Sequence, residues 1–217
     1  AIHNGVDTTR YARDTAMREQ IRTEFGYGDD DIVFGIAARL VEAKGHTYLF
    51  EAAARLAQDV PALRVLVLGQ GALELALKAQ VEQLGLEARV HFAGFRTDME
   101  HCVQALDVGV LPSIDCDTSS FSLKEQMAAG IPVITSDYGG LPEIVCDGRE
   151  GRVVPNGTIE PLARAVAELA ESPERRRQMG LAGRQRVLRE FSLPAFAERT
   201  VDVYRKILEA SHEHSSS

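Results

Sequence analysis

The sequence lacks the features that mark several large classes of protein. It contains three cysteines without a C-x-x-C spacing, which argues against a disulfide framework or a zinc site and favours a reducing cytoplasm. Its apolar runs stay well short of the roughly 20 residues that a membrane-spanning helix needs. Acidic residues outnumber basic ones by 32 to 24. This balance argues against broad nucleic-acid binding, which depends on clustered Lys and Arg.

The composition that is present is that of an ordinary globular protein. Of the 217 residues, 45% are hydrophobic and 26% are charged, which supplies enough apolar material for a full core. The chain begins with Ala rather than Met and ends in HEHSSS, so we expect a piece of a longer protein. We predict a single domain over residues 1–217, with a core at about 31–155 and C-terminal helices at 158–211.

Short runs rich in Val, Ile and Leu predict six buried strands. They lie at residues 31–38, 63–69, 89–94, 107–113, 131–136 and 151–155. Because the apolar residues do not alternate with polar ones, both faces of each strand should be buried, as in a parallel sheet between helix layers. Helical patterns occur at 8–24, 45–60, 72–85, 97–105, 122–129, 140–146, 158–171, 173–190 and 194–211. This alternation predicts a doubly wound α/β fold with helices on both faces and extra C-terminal helices.

Ligands of such folds bind at the edge of the sheet where the parallel strands end. After the first predicted strand, Arg39 and Lys44 are expected at a helix start, where cations, backbone amides and the helix dipole together favour a phosphate. The alternative is a pair of solvated surface cations. After the second strand, Gly69 and Gly71 would let a ligand approach the backbone, although a tight turn alone also explains them.

The segment 112–145 carries the densest group of polar residues at this edge. Hydroxyl groups at Ser119 and Ser120 precede a predicted helix whose first amides can bind a diphosphate. Glu125 lies near the start of that helix and can accept hydrogen bonds from sugar or ribose hydroxyls. It can equally be a residue that compensates the helix dipole, and its spacing does not decide between the two.

The chain resembles the C-terminal, donor-binding domain of glycosyltransferase family 4, whose members are retaining enzymes with the two-domain GT-B fold. The matching motifs occur in the family's order. They are NGVD (4–7), ARLVEAKG (38–45), LGQG (68–71), VHFAGF (90–95), DVGVLPS (107–113), EQMAAGIPVITSDYGGLPEIVCDGREGRVV (125–154) and EFS (190–192). The resemblance covers nearly the whole chain and implies a Rossmann-like domain that binds a nucleotide sugar.

The resemblance also implies roles for individual residues. Arg39 and Lys44 match the basic pair on the donor diphosphate, and Glu125 matches a glutamate whose partner is the ribose. The family's other glutamate, which touches the donor sugar, is replaced here by the shorter Asp117. Further donor contacts are implied for Gly69, Gly71, Phe121, Ser122, Leu123, Gly139 and Gly140.

The function implied by the resemblance is transfer of a sugar from a nucleotide-diphosphate sugar to an acceptor hydroxyl, with no metal or other cofactor. The expected partners are the nucleotide sugar and an N-terminal Rossmann domain of the same enzyme, with a peripheral membrane contact of the full enzyme as an option. No nucleic-acid partner is expected. The expected location is the cytoplasm, including the inner face of the membrane.

Two alternatives to a transferase domain stay open. The first is a module that binds a nucleotide sugar without turnover, because the acceptor-binding domain is absent from these residues. The second is a sugar-nucleotide epimerase of the same architecture, which would need acid and base carboxylates at the sugar beyond Asp117 and Glu125. In either the transferase or the module interpretation, the chain alone is expected to bind without catalysing.

Several other polar residues are predicted to have structural roles. His46 and His91 are interpreted as packing or surface histidines rather than bases, and Cys116 has no visible base beside it. The arginines at 175, 176, 177, 184, 186 and 189 are expected to form a partly solvated helix face, with a contact to another domain or an anionic lipid surface as the alternative.

Overall fold

A computed structural model of the chain describes residues 2–215, with side chains described to residue 209. Within these residues, six parallel strands form one sheet. The strands are β1 Ile32–Ala37, β2 Leu63–Leu68, β3 Val90–Gly94, β4 Val108–Leu111, β5 Val133–Ser136 and β6 Gly151–Val154. Their spatial order is β3-β2-β1-β4-β5-β6, which confirms the predicted doubly wound sheet.

Helices connect the strands and follow the last of them. They are α1 Thr15–Glu24, α2 His46–Arg55, α3 Glu74–Gln83, α4 Met99–Cys102, α5 Phe121–Ala128, α6 Leu141–Ile144, α7 Ile159–Glu171, α8 Pro173–Arg186 and α9 Leu193–Ser215. Turns of 3-10 helix occur at Glu42–Lys44 and Val103–Ala105, and a π-helical turn occurs at Val187–Phe191. Among the helices of the described residues, none combines the length and apolar character needed to cross a membrane.

The pleat of the strands sorts their side chains between two apolar layers. On one face of the sheet, Phe34 and Ile36 of β1 belong to a buried cluster with Phe50 of α2. On the other face, Val33 belongs to a second buried cluster with Leu123 of α5. Because helices cover both faces, the central strands carry continuous apolar runs rather than alternating patterns. The expectation of burial on both faces is wrong for the edge strand β3, where His91 is exposed.

The predicted helix at 8–24 is wrong in its first half. α1 begins only at Thr15, because the carboxylate of Asp14 caps the helix by accepting a hydrogen bond of 3.0 Å from the amide of Met17. The residues before it form a turn around the carboxylate of Asp7, which accepts three local hydrogen bonds. Local capping by two aspartates therefore overrides the helical pattern of this segment.

The first residues of the chain pair with the segment that joins the last two helices. The amide of Val6 donates to the carbonyl of Phe191 at 2.8 Å, and the amide of Leu193 donates to the carbonyl of Val6 at 3.1 Å. Both Val6 and Phe191 are buried in the cluster that also contains α5. This pairing fixes the chain's first residues beside the helix that carries Glu125.

Candidate functional site

A cavity of about 770 Å³ opens where the strands end, at what we call the carboxyl edge of the sheet. Its lining comes from the ends of β1, β2 and β4 and from the loop after β3, so it includes the point where the strand order reverses. Eight of the predicted site residues line it: Arg39, Lys44, Gly69, Gly71, Asp117, Phe121, Ser122 and Glu125. Leu123, Gly139 and Gly140 lie outside the lining. The cavity occupies the usual ligand position of doubly wound folds.

The loops after β1 and β2 pack directly against each other, and glycine makes this possible. A Cβ at Gly69 would collide with the carbonyl oxygen of Ala38, and a Cβ at Gly71 would collide with that of Leu40. The two glycines are therefore needed first for contact between the loops. That contact holds Arg39, which lies between Ala38 and Leu40, at the cavity.

Arg39 presents an exposed guanidinium to the cavity. Nothing in the part of the chain that the structure describes forms a hydrogen bond or an ion pair with this side chain. A guanidinium has five N–H donors and stays charged at any ordinary pH. Arg39 is therefore a cation with spare capacity to bind an anion.

Lys44 reaches the cavity from a local structure that differs from the predicted helix over 45–60. It ends a 3-10 turn, and the helix α2 begins only at His46. Gly45 joins the two with a φ of 73°, and a Cβ at this position would collide with the carbonyl oxygen of Pro112. This close contact anchors the turn that carries Lys44 against the segment after β4.

Lys44 and Asp117 form an ion pair in the wall of the cavity. The ammonium group of Lys44 donates to Oδ2 of Asp117 at 2.8 Å. The hydroxyl of Ser113 donates to the same oxygen at 2.7 Å. Both Asp117 and Ser113 are buried, so the position of the carboxylate is fixed by two donors from separate parts of the chain.

Gly139 and Gly140 lie behind the loop that carries Asp117. The amide of Gly140 donates to the carbonyl of Asp117 at 3.1 Å. A Cβ at Gly139 would collide with that carbonyl oxygen, and a Cβ at Gly140 would collide with the carbonyl oxygen of Thr118. Their position supports the backbone of the loop, and neither glycine lines the cavity itself.

The N-terminus of α5 faces the cavity with some of its amides already bonded. The hydroxyl of Ser120 accepts a hydrogen bond of 3.3 Å from the amide of Leu123, and the Leu123 side chain is fully buried in the core. The first amides of a helix have no acceptor within the helix. The amides of Phe121 and Ser122 are therefore the ones open to a ligand.

Glu125 lies one turn further along α5 and also lines the cavity. Burial raises the pKa of its carboxyl group above the ordinary value, and the nearby hydroxyl of Tyr11 partly offsets this rise. Sequence analysis did not identify Tyr11, because the predicted helix at 8–24 hid the turn that brings its buried ring to α5. A carboxylate has several acceptor sites, so Glu125 keeps acceptors for a ligand even with the Tyr11 hydroxyl beside it.

Phe95, Arg96 and Met99 also line the cavity, although the sequence assigned them no role. Phe95 directly follows β3, and the residue is 65% exposed. Arg96 forms ion pairs with Asp98 and Glu24, so its charge is compensated. The one available signal was position, since residues just past a parallel strand face the ligand edge.

The histidines and Cys116 lie outside the cavity lining. His46 is buried, its ring nitrogens bond to no group in residues 2–215, and burial lowers its pKa to about 4. His91 is exposed, with its ring 5.4 Å from that of Phe25. Cys116 is exposed, and its hydrogen bond with Asp115 raises the pKa of the thiol. None of these three groups is placed as a base at the cavity.

The described residues contain no group of three or more His, Cys, Asp or Glu side chains that could hold a metal ion. The neighbouring carboxylates of Asp115 and Asp117 bind different partners. Asp115 accepts a hydrogen bond of 2.8 Å from the hydroxyl of Tyr138, whereas Asp117 accepts from Lys44. The cations of the cavity, rather than a pair of acidic side chains, thus supply the groups suited to a phosphate.

Relatives of known description cover nearly the whole chain. It is 34% identical over 217 residues to the putative glycosyltransferase EpsD of Bacillus subtilis, which covers 99% of this chain and 56% of that protein. It is 32% identical over 188 residues to a GDP-mannose-dependent alpha-(1-6)-phosphatidylinositol monomannoside mannosyltransferase of Mycolicibacterium smegmatis, covering 83% of this chain and 49% of that protein. The chain therefore spans about half the length of these relatives.

The structural and family comparisons agree with this similarity. The structure of Anabaena Alr3699/HepE in complex with UDP matches with a TM-score of 0.88 at 24% identity, over 94% of this chain and 57% of that one. This likeness shows the Rossmann-like α/β fold of GT-B glycosyltransferases. The family model described as Glycosyl transferases group 1 matches residues 17–186. The chain belongs to the glycosyl transferases group 1 family.

Proposed function

We propose that this domain is the donor-binding half of a retaining glycosyltransferase of family 4, and that its cavity binds a nucleotide-diphosphate sugar. The observation that carries the proposal is the exposed guanidinium of Arg39, which has no partner among the described residues and lines a cavity at the carboxyl edge. Relatives support it, because HepE is described in complexes with UDP and with UDP-glucose, and the mannosyltransferase is described as GDP-mannose-dependent.

The diphosphate is assigned to the cationic wall of the cavity. Arg39 and Lys44 would donate charge-assisted hydrogen bonds to its oxygens. The amides of Phe121 and Ser122 add donors at the positive end of the α5 dipole. During transfer, the same donors would stabilise the negative charge that grows on the departing diphosphate. The phosphate that leaves would help to deprotonate the acceptor hydroxyl, so the reaction we propose needs no metal.

The nucleoside and the sugar are assigned to separate side chains. Glu125 would accept hydrogen bonds from the ribose hydroxyls with its remaining acceptor sites. The exposed ring of Phe95 is suited to stack on the base, because every base presents a flat aromatic face. Asp117 lies in the loop before α5 and is assigned to the sugar.

We propose that the rest of the parent enzyme binds the acceptor. Val201, Tyr204 and Leu208 are more than half exposed on α9, and their spacing places them along one side of this helix. Since the relatives are about twice as long as the chain, we assign this apolar side to contact with an N-terminal domain of the same enzyme. The domain alone would then bind the donor without turning it over. Cytoplasmic location and contact with a membrane face stay predictions.

An epimerase is the weaker alternative. The cavity lining contains two carboxylates, Asp117 and Glu125. Asp117 is held by Lys44, and Glu125 has the hydroxyl of Tyr11 beside it. This set supplies no further acid and base beside the sugar, as an epimerase would require.

Isothermal calorimetry with UDP, GDP and ADP tests the proposed function. We expect at least one of them to bind in the micromolar to millimolar range, and to bind equally in EDTA. The matching nucleoside without phosphate serves as the control and should bind much more weakly. Failure of all three diphosphates to bind, or binding that requires Mg²⁺, would contradict the proposal.

A further inference from the structure

The ion pair between Lys44 and Asp117 changes the charge that the cavity offers to a ligand. Its cations are Arg39, Lys44 and Arg96. Arg96 is paired with Asp98, outside the lining, and Lys44 is paired with Asp117, inside it. Only Arg39 is without such a partner among the described residues. One of the two cations assigned to the diphosphate is therefore already engaged by a carboxylate.

The pair is built into the cavity wall rather than formed by two mobile surface groups. The side chain of Asp117 is 7% exposed and that of Lys44 is 16% exposed. The buried hydroxyl of Ser113 donates to the same carboxylate oxygen. The Asp117 backbone is held from behind by the amide of Gly140. These restraints keep the carboxylate beside the ammonium group, where solvent screens the pair less than it would at an open surface.

A phosphate that binds Lys44 must compete with this carboxylate. If the phosphate binds the ammonium group of Lys44, Asp117 loses its ion-pair partner and lies close to a second negative charge. The repulsion between the two charges is unfavourable, because the carboxylate is almost buried and water screens it poorly. A nucleoside diphosphate offers Asp117 nothing in return. An intact nucleotide sugar carries one negative charge fewer, and its sugar hydroxyls can donate to the displaced carboxylate.

We propose that Asp117 is the internal counter-ion of Lys44 and a specificity-determining residue, which disfavours a nucleoside diphosphate relative to the intact nucleotide sugar. The inference rests on the proposed function and deepens it. In a transferase, such a residue would favour release of the diphosphate product, because the carboxylate forms its ion pair with Lys44 again as the phosphate dissociates. The family resemblance by itself predicts that Asp117→Asn leaves diphosphate affinity unchanged, whereas the ion pair predicts an increase.

The test is calorimetry on wild type and Asp117→Asn, with UDP, GDP and ADP and with UDP-glucose, GDP-mannose and ADP-glucose. For the nucleotide that wild type binds, Asp117→Asn should bind the diphosphate about three- to tenfold more tightly, because Lys44 is freed and a like charge is removed. The matching nucleotide sugar should gain less or lose affinity. The ratio of the two affinities is thus expected to shift towards the diphosphate.

Asp115→Asn is the matched control. It removes the same charge two residues away, from an exposed side chain that binds Tyr138 and lies outside the cavity lining. We expect its diphosphate affinity to stay within about twofold of wild type, because exposed charges are strongly screened. An equal gain in diphosphate affinity in both variants would mean that the effect comes from the net charge of the domain and not from the ion pair. That result would overturn the inference.

Folding of the variants is checked by urea unfolding, and Asp117→Ser provides a second removal of the carboxylate. Lys44 borders the open cavity, where water can solvate its charge after the change. Unchanged or weaker diphosphate binding by a folded Asp117 variant would overturn the inference while leaving the proposed function standing. Absence of diphosphate binding by wild type would instead overturn the proposed function.

Discussion

The two edges of the sheet both collect cations, but they use them differently. At the edge where the strands begin, the guanidinium of Arg22 donates to the carbonyls of Ala105, Gly28 and Asp31 and to the carboxylate of Asp107. Its neighbour Arg18 donates to three backbone carbonyls and to the same carboxylate. At the carboxyl edge, no group that the structure describes forms a hydrogen bond or an ion pair with the side chain of Arg39.

The difference bears on where an anion can bind, because a cation with unused donors can bind a ligand and one whose donors are already bonded cannot. The arginines of α8 and the π-helical turn resemble Arg18 and Arg22 in this respect, because each of their side chains bonds within the domain. Arg175, Arg177, Arg186 and Arg189 pair with carboxylates, and Arg176 and Arg184 donate to backbone carbonyls. These arginines stabilise the C-terminal helices, and they have fewer free donors for a lipid or a domain than their number suggests.

The largest effect is expected from removing Arg22, whose donors are already bonded. It lies at the edge where the strands begin, which we call the amino edge. Arg22→Met removes one donor each from the carbonyls of Ala105, Gly28 and Asp31 and one of two cations from Asp107, so we expect the free energy of unfolding to fall by about 3–5 kcal/mol. Urea denaturation measures it. Arg177→Met, which breaks an exposed pair with Glu174, is the control and should cost less than about 1 kcal/mol. Equal small losses in both variants would contradict the contrast between the edges.

Lys124 extends the comparison of the cations, because it is fully buried and its hydrogen-bond partners are neutral groups. Its ammonium group donates to the carbonyl of Asn4 and to the hydroxyl of Ser119, and burial lowers its pKa to about 8. Between this value and its ordinary pKa near 10.5, the unfolded chain holds more protons than the folded one. The stability of wild type should therefore rise with pH across this window, by about 3 kcal/mol relative to Lys124→Met.

Urea unfolding of wild type and Lys124→Met at a series of pH values from 7 to about 10.5 measures this difference. Below the folded pKa, the two proteins should show the same dependence on pH, because Lys124 is then protonated in both states. Parallel curves through the whole range would mean that Lys124 keeps its charge in the folded protein at alkaline pH.

At the carboxyl edge, Arg39→Met should affect binding and leave the fold unchanged. A charge-assisted hydrogen bond contributes about 1.5–3 kcal/mol, so the affinity for a nucleoside diphosphate should fall about tenfold or more. Because the Arg39 side chain is exposed and forms no hydrogen bond or ion pair with the described residues, the unfolding midpoint of the variant should match that of wild type. Calorimetry measures the affinity, and urea unfolding measures the midpoint. An unchanged affinity would mean that Arg39 is a solvated surface cation.

The smallest effect on stability is expected at Glu125. Burial raises the pKa of its carboxyl group, which means that the folded state disfavours the ionised form. A folded pKa above the unfolded one makes stability fall as pH rises through it, so the carboxylate weakens the fold at neutral pH. Glu125→Gln should then stabilise the domain by the order of 1 kcal/mol, while weakening binding of diphosphate and nucleotide sugar alike. A variant that is less stable, or that binds both ligands normally, would argue against the assigned contact with the ribose.

Sequence predicted the sheet better than the helix boundaries for a physical reason. The central strands β1, β2, β4 and β5 are buried on both faces, so their sequences are almost continuously apolar and are bounded by polar loops. The start of α1 depends instead on a single cap by Asp14, and the end of α8 at Arg186 depends on a π-helical turn. Competing hydrogen bonds of this kind are local, and average helical periodicity does not report them.

The candidate site was predicted as a set of residues but not as a set of contacts. Motifs and strand ends indicated Arg39, Lys44, Asp117 and Glu125, and the structure brings all four to one cavity. The ion pair of Lys44 with Asp117 depends on a 3-10 turn and a loop that are distant in sequence, so no local pattern encodes it. Tyr11 was missed for the same reason.

The most direct test of the account is a titration of the ¹⁵N-labelled chain with the nucleoside diphosphate that it binds, followed through its amide NMR signals. We expect the signals of Arg39, Gly69, Phe121 and Ser122, at the carboxyl edge, to move with a common affinity. Those of Ala105 to Asp107, at the saturated amino edge, should stay in place. Movement confined to the amino edge, or to neither edge, would contradict a nucleotide site built on unused donors where the strands end.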